Sequence, residues 1–283
     1  MNVGDAMTPR SAVVTVELPG TRDDALRYLQ EEAFSSVPVV KVEDGEERYR
    51  GLVSRQDLIE HPDEDQLALL MRDVPQVSAD DSIVSVARLI VEEGARRLPV
   101  VEDDTLEGIV TVTDVVRALA TGEVEDGDHE VGDLARRDVN TTYEGTPLAV
   151  AEREISFARV PYAVVLDDAG DMTGMLTEVD VVDVAEVVEG EEDAGESFAD
   201  QDDDWAWEGI KAVGNRHLPT RNVEFPAGPV SEFMTPDPVT VNGRRTVQEV
   251  AQVLLEHDIE QVPLVHGDDL AGIVRDLDLL SAL

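Results

Sequence analysis

GARRLPVVEDDTLEGIVTVTDVV, residues 94–116, decides the fold. A Gly closes a helical run, Leu98-Pro99-Val100 opens a strand with the look of a buried one, and an acidic turn follows. Gly108 then leads a second strand that runs into a helix. The same order recurs around Val37-Pro38-Val39, Val160-Pro161-Tyr162 and Val262-Pro263-Leu264. The Gly-led halves read GLVSRQDLI (51–59), GIVTVTDVV (108–116), GMLTEVDVV (174–182) and GIVRDLDLL (272–280), with their glycines 57, 66 and 98 residues apart. Such self-similarity reduces the 283 residues to one supersecondary unit of about 60 residues used four times.

Each repeat opens with a lead-in segment: DAMTPRSAVVTV (5–16), LLMRDVPQVSA (69–79), VGDLARRDVNTT (131–142) and VSEFMTPDPVTV (230–241). A helix is expected next. In the second repeat Asp80 or Asp81 is placed to cap it, and Ile83, Val86, Ala87, Ile90 and Val91 form one apolar stripe. Val247, Val250, Ala251, Leu254 and Leu255 repeat that rhythm, and Gly94 suits a helix end. In the third repeat the first helix reads as shortened, interrupted near Pro147. The unit is strand, helix, strand, strand, helix (βαββα), an α/β (α+β) arrangement with a small sheet backed by helices. A unit this small buries little surface, so the four are expected to form two pairs. The boundaries fall at 1–62, 63–125, 126–185 and 228–283, with an insert at 186–227.

That insert has two parts. Residues 186–204 carry ten acids and no base, which reads as a solvated linker. Residues 205–229 hold both tryptophans, Trp205 and Trp207, with Lys211, Arg216, His217 and Arg221. This island reads either as a flap packing its aromatics on a neighbouring repeat or as a segment that docks a partner or closes a pocket.

The chain holds 63 acidic and 22 basic residues, a formal net charge of −41. Twenty of the cations are arginines; Lys41 and Lys211 are the lysines. Charge of this size opposes compaction, yet the 42% hydrophobic content belongs to a folded chain. Concentrated salt reconciles the two, because at ~1 M the Debye length falls to ~3 Å. The expectation is an acidic, halophilic, cytoplasmic protein. No basic stripe offers itself to nucleic acid. With no cysteine there is no disulfide, zinc–thiolate site or thiol catalysis. MNVGDAMTPR lacks the apolar segment of a signal peptide, and no run of 18 apolar residues reads as a membrane span.

Ser54-x-x-Asp57, Thr111-x-x-Asp114 and Thr177-x-x-Asp180 each follow a Gly-led strand and begin a helix. The pattern has two readings. As a capping box it needs no ligand. As part of a nucleotide site, the helix N-terminus and the hydroxyl face a phosphate while the carboxylate accepts from a ribose diol.

The fourfold succession of apolar-Pro-apolar strand and G-h-h-[ST]-x-x-D (h, apolar) resembles the cystathionine β-synthase (CBS) domain over about 1–185 and 228–283. The resemblance implies two Bateman modules, each pairing two repeats, with adenosyl ligands bound in the cleft between them. Four repeats in one chain are similar to the γ subunit of AMP-activated protein kinase and its archaeal relatives, where two modules form a disc. Carried over, the ribose carboxylates are Asp57, Asp114 and Asp180, and the hydroxyls near phosphate are Ser54, Thr111 and Thr177. Arg96 and Arg97 match the two basic residues that reach the phosphates, where arginine grips bidentately; surface pairing with Glu92, Glu93 or Glu102 is the other reading. Arg159 is a lone counterpart. The first repeat has Ser35-Ser36 at the arginine positions and the fourth has Glu260-Gln261. Arg275 replaces the fourth hydroxyl, beside Asp278, and is a further phosphate candidate.

No P-loop, Rossmann glycine pattern or GxSxG is present, and the five histidines show no metal-ligand spacing. The expected function is therefore not enzymatic, and no catalytic cofactor or metal is expected. It is a sensor that binds AMP, ADP or ATP between paired repeats and signals to a protein partner. The alternatives are an interaction scaffold working through the Trp insert, or a sensor of S-adenosylmethionine or another adenosyl compound. The two-module disc is open to being a monomer or a homodimer. Melting temperature measured against potassium chloride tests the salt expectation: stability rises steeply with salt, and full stability at low ionic strength would contradict it.

Overall fold

The computed structural model describes residues 1–31, 36–54, 57–58, 61, 64–125, 129–184, 186–189 and 221–283. The chain divides into two compact units. One comprises Met1–Arg137, Thr240–Gly267 and Ala271–Leu283; the other comprises Asp138–Val239 and Asp268–Leu270.

Every repeat centres on an antiparallel hairpin of its Pro-containing and Gly-led segments. The pairs are Ser36–Glu43 with Glu46–Ser54, Arg97–Glu102 with Thr105–Thr111, Tyr162–Leu166 with Met172–Thr177, and Gln261–His266 with Asp269–Arg275. In three repeats a short strand (Val16–Leu18, Thr141–Tyr143 or Val241–Asn242) lies parallel beside the first hairpin strand. In the second repeat that strand shrinks to a bridge between Val77 and Val100. The intervening helices are Arg22–Glu31, Ile83–Glu93, Leu148–Ala158 and Val247–His257. Their core residues follow the expected stripes: Ile83, Val86, Ala87 and Ile90 are buried, as are Val247, Val250, Ala251 and Leu254.

The free edge of each Gly-led strand is closed by another repeat's lead-in segment. Thr8 and Pro9 pair with Ile109 and Gly108, and Thr235 and Pro236 pair with Met175 and Gly174. Arg72 bridges Leu52, and Arg136 bridges Ile273. Repeats one and two thus exchange their lead-in segments, and so do three and four. The exchange explains the four glycines. A Cβ on Gly51 would stand 2.8 Å from the Arg72 carbonyl oxygen, and one on Gly272 would stand 2.7 Å from that of Arg136. Gly108 and Gly174 are crossed in the same way by Thr8 and Thr235. Just before each crossing a short helical turn (Val3–Ala6, Leu67–Leu70, Val131–Leu134 or Val230–Glu232) drops its first residue into the host's core. Val3, Leu67, Val131 and Val230 are all fully buried.

Within the first unit, repeats two and four also meet through their helices. Val112–Ala120 packs on Val247–His257 and on Asp276–Leu280. Gln252 donates to the Ala120 carbonyl at 2.9 Å, one of the orphan acceptors of that helix end. The second unit has its own core of Leu148, Ala151, Ile155, Ala163, Val165, Leu176, Val181 and Val230.

Five local expectations need correction. Ser82, not Asp80 or Asp81, caps the helix of the second repeat, accepting from the Ser85 N–H; Asp81 instead accepts from the Ser78 N–H in the preceding turn. Val91 turns outward at 42% exposure. Pro147 does not interrupt the third repeat's helix: it occupies the N-cap of a helix with the same 11 residues as those of repeats two and four, where its missing N–H removes no intrahelical bond. The third repeat's Pro strand also slips by three residues. Tyr162 pairs with Thr177 as Arg97 pairs with Thr111, so Val164, opposite Met175, stands where Pro99 stands opposite Ile109. Pro161 lies ahead of the strand. The insert differs as well, since Glu186–Glu189 is a strand paired antiparallel with Arg221–Glu224. Ser35, Trp205, Trp207, Lys211, Arg216 and His217 lie outside the described residues.

Leu67 contributes to the first repeat's core although it belongs to the second repeat's lead-in. Leu67→Ala is therefore expected to lower stability by about 2–5 kcal/mol. Gly272→Val, which drives a side chain into the Arg136 carbonyl, is expected to lower the urea midpoint as well. An unshifted midpoint in either variant would contradict the exchange.

Candidate functional site

A cleft of about 240 Å³ opens where the lead-in of repeat one crosses the sheet of repeat two. Thr8, Ala12, Val13 and Val14 line it from the lead-in, Ser36 and Pro38 from the first hairpin, and Arg97, Ile109 and Thr111 from the second. Ser36 and Arg97 hold equivalent positions in their two hairpins, opposite Ser54 and Thr111. They approach each other here: Arg97 Nη1 donates to the Ser36 carbonyl at 3.4 Å. The Ser36 side chain is buried at 6% exposure, and its Oγ has no hydrogen-bond partner. Such a buried polar orphan costs stability unless something occupies it.

The Ser/Thr-x-x-Asp pairs are capping boxes. Thr111 Oγ1 donates to Asp114 Oδ2 at 2.8 Å and accepts from the Asp114 N–H at 3.3 Å. Ser54 with Asp57 and Thr177 with Asp180 do the same. A hydroxyl has one proton, and each of these is directed at its own carboxylate. The donation to phosphate that the sequence suggested would require the hydroxyl to turn. Asp114 Oδ1 faces Arg117 at 2.8 Å.

Lead-in residues divide the four carboxylates into two kinds. Arg72 reaches Asp57 at 3.4 Å, and Arg136 reaches Asp278 at 3.0 Å. The equivalent lead-in residues over repeats two and three are Thr8 and Thr235, which carry no charge. Asp278 is also held by Arg275, whose Nε and Nη2 lie 3.0 and 2.8 Å from its two oxygens. Arg275 thus serves the cap, with its guanidinium turned onto Asp278. Burial raises the Asp278 pKa, but the Arg275 and Arg136 hydrogen bonds outweigh it and hold the carboxyl below its ordinary range.

Arg96 and Arg97 part company. Arg97 lines the cleft, whereas Arg96 runs to repeat four, 2.5 Å from Asp276 and 2.9 Å from Glu260. Asp276 is 5% exposed. Burial alone lowers the Arg96 pKa, and the two carboxylates more than reverse that, so it is raised. Arg96 thus pairs across to repeat four rather than with Glu92, Glu93 or Glu102 on its own surface. Arg159 caps its helix in the left-handed conformation (φ 54), as Gly94 (φ 64) and Asp258 (φ 53) do in repeats two and four. It is exposed and precedes by three residues the position that Arg97 holds, which is Tyr162 in this repeat. Sequence reasoning passed over Ser36 as a mere departure and missed Thr8, Arg72 and Arg136, whose signal is the presence of Thr in two lead-ins and Arg in the other two at one place. Among the described residues no cluster of acids and histidines has metal-binding geometry, and no helix is long and apolar enough to cross a membrane.

The CBS domain family model matches residues 3–64, 67–121, 131–186 and 230–283. The chain belongs to the CBS domain family. An uncharacterized conserved protein of Pyrococcus horikoshii shares 28% identity with it at a TM-score of 0.69, with 99% of both chains covered. A Methanocaldococcus jannaschii protein, described as a candidate archaeal homologue of the γ subunit of AMP-activated kinase, superposes with a TM-score of 0.66 over 99% of both chains. At 19% identity it shows the shared fold alone. Another, uncharacterized M. jannaschii protein is 26% identical over 280 residues, and the match covers 99% of this chain but 61% of that protein's length.

The Asp278 contacts carry a pH dependence. A carboxyl whose pKa is depressed by folding contributes stability above its unfolded value, and loses that contribution as pH falls through the folded one. Asp278→Asn is therefore expected to cost about 1.5–3 kcal/mol near neutrality. Its difference from the parent should shrink as pH falls below about 4. A pH-independent difference in denaturant midpoints would contradict this.

Proposed function

We propose that this CBS protein is a regulatory sensor that takes an adenine nucleotide in the cleft between repeats one and two. The observation that carries the reading is the buried, unpartnered Ser36 Oγ on a cleft wall that faces Arg97. Arg97 supplies a permanent charge with planar, bidentate geometry for phosphate. Asp114, bonded to the cleft-lining Thr111, is the ribose acceptor. The apolar walls of Val13, Val14, Pro38 and Ile109 suit a base.

The cleft of about 240 Å³ is smaller than the usual ~300–1,000 Å³ of small-molecule sites. Filling it therefore favours a state in which the two repeats stand slightly apart, and a ligand that prefers this state shifts the population toward it. Arg96, the chain neighbour of Arg97, connects this strand to Asp276 of repeat four. A displacement at the cleft thereby reaches the helix–helix contact of repeats two and four and, through it, a protein partner. In this reading the sensor acts in the cytoplasm, where adenine nucleotides vary.

Calorimetry with AMP, ADP and ATP tests the reading. Saturable binding is expected, weakened by about tenfold or more in Arg97→Ala and retained in Arg159→Ala. No heat with any of the three nucleotides, or binding indifferent to Arg97, overturns it.

A further inference from the structure

A second cavity of about 560 Å³ lies in the fourth repeat and shares no lining residue with the cleft. Its apolar floor includes Leu264, Val265 and Ala271, and its walls carry the guanidinium groups of Arg137 and Arg244 and the imidazole of His266. No Asp or Glu among the described residues lines it, in a chain where 63 acids face 22 bases. Arg137 does not owe its position to an ion pair. Its Nη1 donates to the Ala271 carbonyl at 2.7 Å and its Nη2 to the Gly132 carbonyl at 2.8 Å. Both acceptors are main-chain groups, and no carboxylate among the described residues forms an ion pair with this guanidinium. Gly132 is itself locked against Gly243, where an added Cβ would meet the Gly243 oxygen at 2.8 Å. Arg244 stands beside that contact, and no carboxylate among the described residues pairs with it.

We propose that this cavity is a second ligand site, for a phosphorylated small molecule with an apolar body. Two arginines in one rim can share a phosphate through several N–H donors, which a single carboxylate-paired arginine cannot. The volume falls within the range of small-molecule sites, and the apolar floor gives such a ligand a surface to cover. The site belongs to the fourth repeat and its exchanged lead-in, so it operates whether or not the cleft is filled.

Phenyl phosphate is the probe, with inorganic phosphate and phenol as its two halves. The full-length chain is titrated at the lowest salt that keeps its melting transition, and the His266 ring protons, assigned through His266→Gln, are followed by NMR. Phenyl phosphate is expected to shift them saturably and to bind more tightly than either half. Arg244→Ala and Arg137→Ala should each weaken it about fivefold or more, while Arg97→Ala leaves it within about twofold. Arg244→Ala is the decisive variant, because the side chain is exposed and its removal should leave the melting point where it is. Absence of a saturable His266 shift, or a shift unaffected by Arg244→Ala, overturns the proposal.

Discussion

A carbonyl oxygen lying over a glycine holds this protein together. In each repeat the Gly-led strand would end the sheet with unpaired N–H and C=O groups, an open edge. The partner's lead-in covers that edge, and it comes so close that only hydrogen fits on the host residue. Gly51, Gly108, Gly174 and Gly272 all meet this demand. Conformational freedom plays little part, since none of the four has a positive φ; the requirement is space. Once the backbones are in contact, the buried first residue of each lead-in turn extends the host's core, and neither half of a pair is complete alone.

The same crossing sets the electrostatics. The residue that pairs opposite the position after each glycine stands near the helix-capping carboxylate, so its identity decides how that carboxylate is balanced. Arginine there, as at Arg72 and Arg136, gives Asp57 and Asp278 a cationic neighbour. Threonine there, as at Thr8 and Thr235, brings no such charge to Asp114 and Asp180. Similar motifs thereby acquire two different characters according to a residue that lies outside them. Arg96 adds a further link by carrying its charge to a buried carboxylate in another repeat.

Much of this was legible in the chain. Repetition gave the hairpins and helices, because the apolar periods and the glycines recur in order. Capping boxes were legible too, since they are contacts across three residues. What the sequence concealed is non-local. Nothing near Arg96 announces Asp276, 180 residues away. Nor does anything near Ser36 reveal that its hydroxyl is buried without a partner. The third repeat misled for a different reason. RVPYAVVL offers an apolar-Pro-apolar triplet, yet five consecutive apolar residues follow Pro161 and each register buries a similar face. The choice falls to the helix end at Arg159 and the pairing of Tyr162 with Thr177, neither of which the triplet encodes.

The exchange also bears on the order in which the chain can acquire its structure during synthesis. The edge of the first sheet waits only for Arg72, a short way beyond Leu52. The lead-in at Val131–Leu134 has a much longer wait: Arg136 finds Asp278 across 142 residues, after the third repeat and the acidic insert have been made. Closing a loop of that length raises the entropic cost only logarithmically, but it delays the contact until the strand Asp269–Arg275 has left the ribosome. Until then a hydrophobic turn led by Val131 has no host. A nascent chain with the fourth repeat unmade is thus exposed to mispairing with a second copy, and the strand Asp269–Arg275 is the lock that ends that interval.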